Sequence, residues 1–108
     1  MPVSSIGDRA FEWCSSLTSI MISDSVISIG EWAFGGCSSL TSIAIPDSVT
    51  YIGLGAFEGC SSLTSVVFEW PYDWIINGEQ LDAEALSGPA TAAEYLIERY
   101  FGSYWQRD

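Results

Sequence analysis

The chain has 108 residues, enough for one domain with a core, and sets 14 acidic residues against three arginines with no lysine and no histidine. A formal charge of −11 excludes nucleic acid as a partner, because phosphate contacts need clustered Lys or Arg, and it weighs against an anionic membrane surface. No apolar run approaches the roughly 18 residues that span a bilayer, so membrane insertion is not expected, and "MPVSSIGDRAF" lacks the basic and apolar regions of a signal peptide.

From the N-terminus to Phe68 one block recurs every 23 residues, marked by "CSSLTS" at Cys14, Cys37 and Cys60. The fixed columns are Val3/Val26/Val49, Ile6/Ile29/Ile52, Gly7/Gly30/Gly53, Ala10/Ala33/Ala56 and Phe11/Phe34/Phe57. They continue through the cysteines to Leu17/Leu40/Leu63, Ile20/Ile43/Val66 and Ile22/Ile45/Phe68, while positions such as Arg9/Trp32/Gly55 vary freely. Fixed apolar columns separated by free positions are what stacked coils require, since one coil buries its apolar side only against its neighbours.

Within each coil, "DRAFEWC", "EWAFGGC" and "LGAFEGC" are long enough for about one helical turn with Ala and Phe inward. "LTSIMI", "LTSIAI" and "LTSVVF" alternate as short strands, with Ile20 and Ile22 inward and Met21 outward, and stacking sets the three side by side in a parallel sheet. A turn at Asp24, or at Pro46 and Asp47, leads into a second extended segment, "SVISIG" or "SVTYIG".

"SVTYIGLGAFEGCSSLTSVVF" and its two siblings resemble the 23-residue BspA-like leucine-rich repeats found mainly in bacterial surface proteins. The resemblance covers roughly residues 2–68 and rests on the I-G-x-x-A-F-x-x-C-x-x-L spacing. It implies a curved α/β solenoid of three such coils with a strand-lined concave face, a cell-surface or secreted setting, and a binding role, often adhesion to host proteins or to neighbouring cells. Two positions depart from the pattern: Trp13 stands where the other coils have Gly36 and Gly59, and Ser23 where Pro46 would be expected.

The segment 69–108 has no 23-residue echo and reads as a C-terminal cap in the same folding unit as the coils of 1–68. "DWIINGEQL" is expected to form a hairpin turning at Asn77-Gly78. A helix over about 89–101 follows, with Pro89 in its first turn and Gly102 after its end. Ala92, Leu96 and Tyr100 share one face of it and Ala93, Ile97 and Phe101 an adjoining one, which suits closure over Leu63, Val66 and Phe57.

Candidate chemistry is thin. The cysteines read as a buried column of free thiols, because three cannot all pair and no histidine or C-x-x-C spacing suggests a metal. Serines are plentiful but lack a histidine base. The Ser-Ser and Thr-Ser pairs suit hydrogen-bond ladders between coils. Asp73, Glu79, Asp82 and Glu84 have no fixed separation and no D-x-D-x-D-G loop for calcium. Neither an enzyme nor a cofactor is expected. The strand face should show Thr18, Ser19 and Met21, then Thr41, Ser42 and Ala44, then Thr64, Ser65 and Val67, either as a surface for a protein ligand or as plainly solvated positions. Trp70, Tyr72 and Trp74 either pack the cap onto the coils or form an aromatic platform. Nothing resembling a cap precedes the first coil, so Val3, Ile6, Phe11 and Leu17 are expected to face an open edge that joins a longer array or a second copy. Two roles remain: a binding or adhesion module, or a structural segment that ends a longer array.

Overall fold

The computed structural model describes residues 4–76, 78–99 and 104–107. Val3, Asn77, Tyr100, Phe101 and Gly102, all assigned roles by the sequence, lie outside these residues. Equivalent segments of successive repeats stack in parallel. The short extended segments β1 (Ser5–Ile6), β2 (Ser28–Ile29) and β4 (Tyr51–Ile52) pair in register, Ile6 beside Ile29 beside Ile52. The longer strands β3 (Ser42–Ile45) and β5 (Ser65–Phe68) form a second, two-stranded parallel sheet. Between the sheets the repeated apolar columns meet in one core: Ile29, Phe34, Cys37, Leu40, Val49, Ile52, Phe57, Leu63 and Val66 are each at most 2% exposed. Repetition at 23 residues puts like on like, so Phe11, Phe34 and Phe57 stack at 5.3 and 5.2 Å between ring centres with planes within 8° of parallel.

The expected helical turn after Gly7, Gly30 and Gly53 is not helical. Each segment closes tight local turns, as in Ala10 N–H to Gly7 and Cys14 N–H to Phe11. Alternate amides instead reach the next repeat: Arg9, Phe11 and Trp13 donate to the carbonyls of Glu31, Ala33 and Gly35 at 2.7–2.9 Å. Trp32, Phe34 and Gly36 do the same to Leu54, Ala56 and Glu58. A helix would spend those donors on its own carbonyls; here they tie coil to coil, and the backbone bends between them through left-handed residues.

The first "LTSIMI" is not a sheet strand, although Thr41 N–H bonds the Thr18 carbonyl and Ile22 is buried. There Ser23 closes a hydroxyl turn with Ser25, where Pro46 fixes the backbone of the second repeat.

The C-terminal part adds β6 (Trp74–Ile76) and β7 (Glu79–Gln80), antiparallel with Ile76 opposite Glu79, and Gly78 between them at φ +80°. Helix α1 (Ala83–Ser87), not anticipated, is capped by the Asp82 carboxylate, which accepts from Glu84 N–H at 3.0 Å. Helix α2 (Pro89–Glu94) begins on its proline and continues as a π-helical turn, Tyr95–Arg99, so the described part of the expected helix, 89–99, is α-helical only over its first six residues. Ala92, Ala93 and Leu96 are buried. Strand β8 (Trp105–Arg107), also unanticipated, inserts antiparallel between β4 and β6, giving the order β1-β2-β4-β8-β6-β7.

Candidate functional site

Alternation along β3 and β5 buries Ile43, Ile45, Val66 and Phe68 and turns their neighbours outward. Thr41, Ser42, Ala44, Thr64 and Val67 are exposed and Ser65 is half-buried. Register sets Ser42 beside Ser65 and Ala44 beside Val67. Thr18, Ser19 and Met21 continue the rows and are exposed, Met21 at 94%. The threonine column is bonded through its backbone, Thr64 N–H to Thr41 and Thr41 N–H to Thr18, at 3.1 and 3.2 Å. Hydroxyl bonds between repeats come from Thr41, Ser48 and Thr50, which donate to the Thr18, Val26 and Ile27 carbonyls at 3.4, 2.7 and 3.5 Å. A hollow of about 670 Å³ opens beside this face, with Met21, Ala44, Asp24 and Glu69 on its walls. Of the edge residues, Ile6, Phe11 and Leu17 are half-buried against the core and line up at its first repeat.

The turns on another side of the repeats carry a feature that sequence reasoning missed. Arg9, Trp32 and Gly55 share one repeat position and all have positive φ, at 59°, 52° and 65°. Trp13, Gly36 and Gly59 share another, at 64°, 76° and 79°. Thus Trp13 keeps the geometry of the glycines it replaces, in a region that costs a side-chain-bearing residue about 1–2 kcal/mol. Each indole uses a glycine of the next repeat as its seat: Trp13 lies over Gly36 and Trp32 over Gly55. Trp32 Nε1 donates to Glu58 Oε2 at 2.9 Å, and the Arg9 guanidinium sits 4.9 Å from the Trp32 ring centre while bonding both oxygens of Glu12. For Trp13 the signal was present as tryptophan in a column otherwise glycine, whereas Trp32 shares its column with Arg9 and Gly55.

Residues 2–77 match the family model described as "BspA type Leucine rich repeat region (6 copies)". The chain belongs to this family. The match runs past the third repeat into the hairpin of β6 and β7. No curated protein and no solved structure matches the chain.

In this BspA-type repeat the cysteine column is free of disulfides. Cys37 and Cys60 are buried and their thiols donate to the carbonyls of Phe11 and Phe34 in the preceding repeat, both at 3.1 Å. Burial, with the neighbouring thiol adding to it, pushes Cys60 up to about 12 and raises Cys37 as well, so both are unreactive small hydrophobes that also bond between coils. Cys14 is half-buried.

The tail aromatics divide. Trp74 is wholly buried, edge-on to Phe68 and Trp105 at 5.5 and 6.1 Å, whereas Trp70 and Tyr72 are each nearly half exposed and in edge contact at 5.2 Å. Among the described residues no group of three or more His, Cys, Asp or Glu could hold a metal ion, and no helix is long and apolar enough to cross a membrane.

Proposed function

We propose that the chain is a non-catalytic protein-binding or adhesion module, an α/β solenoid of BspA-type coils acting at a cell surface, whose Thr/Ser-rich strand face meets a host or neighbouring-cell protein. The in-register, outward rows of Thr41/Thr64, Ser42/Ser65 and Ala44/Val67 support this reading. They form an uncharged strip on a chain of net charge −11, where a flat or extended protein segment meets little repulsion. Capture of matrix proteins or cells by the immobilised chain, lost on Thr41→Arg and Thr64→Arg, is the expected result. Both residues are exposed, so the fold should survive the change. Capture unchanged in both variants would remove the strand face as the site.

A second reading, a structural segment that ends a longer repeat array, is favoured by β8. It fills the open edge of β4 with an antiparallel strand, which continues no further repeat. The opposite edge, with β1 outermost and Ile6, Phe11 and Leu17 half-buried, supports contact with a second copy or a preceding coil. Light scattering at tens of micromolar tests the second copy: association reversed by Phe11→Glu is expected, and a monomer throughout sinks it.

A further inference from the structure

The groove on the turn side, about 430 Å³, is lined by Trp13, Trp32, Glu12, Glu58, Gly36 and Gly59 among others. Its chemistry already has one occupant-like contact nearby. Arg9 lays its guanidinium on the Trp32 ring and bonds Glu12 at 3.1 and 2.9 Å, an indole and a carboxylate holding one cation. The groove offers the same pair a second time. Trp13 is 73% exposed, and its ring is seated over Gly36. Glu58 is exposed, and its Oε2 accepts from Trp32 Nε1 at 2.9 Å. Among the described residues no basic side chain lines the groove.

We propose that this groove binds a cationic side chain, the arginine or lysine of a partner polypeptide, between the Trp13 ring and the Glu58 carboxylate. The ring face carries the negative side of the indole quadrupole, which attracts a cation and repels an anion. The Glu58 carboxylate and an overall charge of −11 act in the same direction and steer basic segments toward the chain, Glu12 being already paired with Arg9. Gly59 offers an incoming side chain bare backbone, and the seats of Trp13 on Gly36 and of Trp32 on Gly55 hold the two rings, so little freedom is lost on binding. The site is separate from the Thr/Ser strand face and does not rest on it.

The test follows the Gly59 amide by NMR while the full chain is titrated with a blocked Gly-Arg-Gly peptide, its citrulline counterpart, and a neutral glucose oligomer. Saturable shifts with the arginine peptide, weakened by salt and absent with citrulline, are expected. Trp13→Gly, which restores the residue of the other repeats and relaxes the backbone, should weaken binding about fivefold, and Glu58→Gln by a similar factor. Equal response to citrulline, shifts from the glucose oligomer alone, no shift with any probe, or arginine binding indifferent to both substitutions would each overturn the proposal.

Discussion

The Trp13 ring lies over Gly36 so closely that a Cβ on that glycine would stand 2.6 Å from Trp13 Cζ3. Both residues occupy the same repeat position one coil apart, both with left-handed backbone, at φ 64° and 76°. Gly36→Ala therefore meets two penalties, the backbone region and the ring. We expect a loss of about 2 kcal/mol, read as a fall in Tm of about 10 °C. In a Trp13→Gly background only the backbone penalty of about 1 kcal/mol remains. Equal losses in the two backgrounds would show that the ring contact contributes nothing.

Thiol chemistry should report the order of the cysteine column. With Cys60 near 12, about one molecule in ten thousand carries its thiolate at pH 8. A thiol reagent should modify half-buried Cys14 quickly, and Cys37 and Cys60 only as fast as the chain opens. Their folded values are raised above those of the unfolded chain, so folding favours the protonated form. That contribution is complete below pH 9 and is lost as pH rises toward 12 through the folded value of Cys60. Stability measured from pH 8 to pH 11 should fall, and fall less in Cys60→Ala, a comparison that cancels the tyrosines. An identical fall in both chains would refute the assignment.

The phenylalanine stack should be graded by depth. Phe34 has a ring on either side and no exposure, whereas Phe11 has one neighbour and is half-buried. Phe34→Ala should cost about 3–5 kcal/mol and Phe11→Ala less than half of that. Urea unfolding of the two variants decides it; equal costs would mean that the first repeat is as firmly packed as the second.

What the sequence made legible is what repetition controls. Columns such as Phe11/Phe34/Phe57 and Ile6/Ile29/Ile52 are identical side chains at a fixed interval, and stacking follows from burial alone. The turn segments misled because Ala10 and Phe11, with Cys14 three residues on, fit a helical face equally well. The choice was made by amides that bond residues 22 positions away, as Phe11 does with Ala33, which no local pattern encodes. Expectation for the first strand failed although Ile20–Ile22 keeps the right alternation; Ser23 and its hydroxyl turn with Ser25 follow it in place of Pro46. The strand-face residues could be read from alternation. The Trp13–Trp32 groove could not, because Trp32 stands in a column that read as free to vary and nothing local joins it to Trp13 one repeat earlier.

Strand β8 was illegible for a related reason: "WQR" has too few residues to alternate, and its partners lie some 30 and 54 positions back, Ile76 and Tyr51 among them, the latter opposite Gln106. Its grip is nonetheless strong. Trp105 is 1% exposed and stacks on Phe68 at 5.7 Å, Arg107 N–H donates to the Thr50 carbonyl at 2.8 Å, and the Arg107 guanidinium bonds the Asp47 carbonyl. Trp105→Ala should therefore cost about 3–5 kcal/mol, and its effect should spread unevenly. Amide exchange should accelerate most in β6 and in β4, whose open edge β8 covers, and least in β1 and β2. If exchange instead rises equally through all three repeats, the chain unfolds as one unit and β8 stabilises every repeat alike. Unchanged exchange in β4 would show that its edge needs no cover.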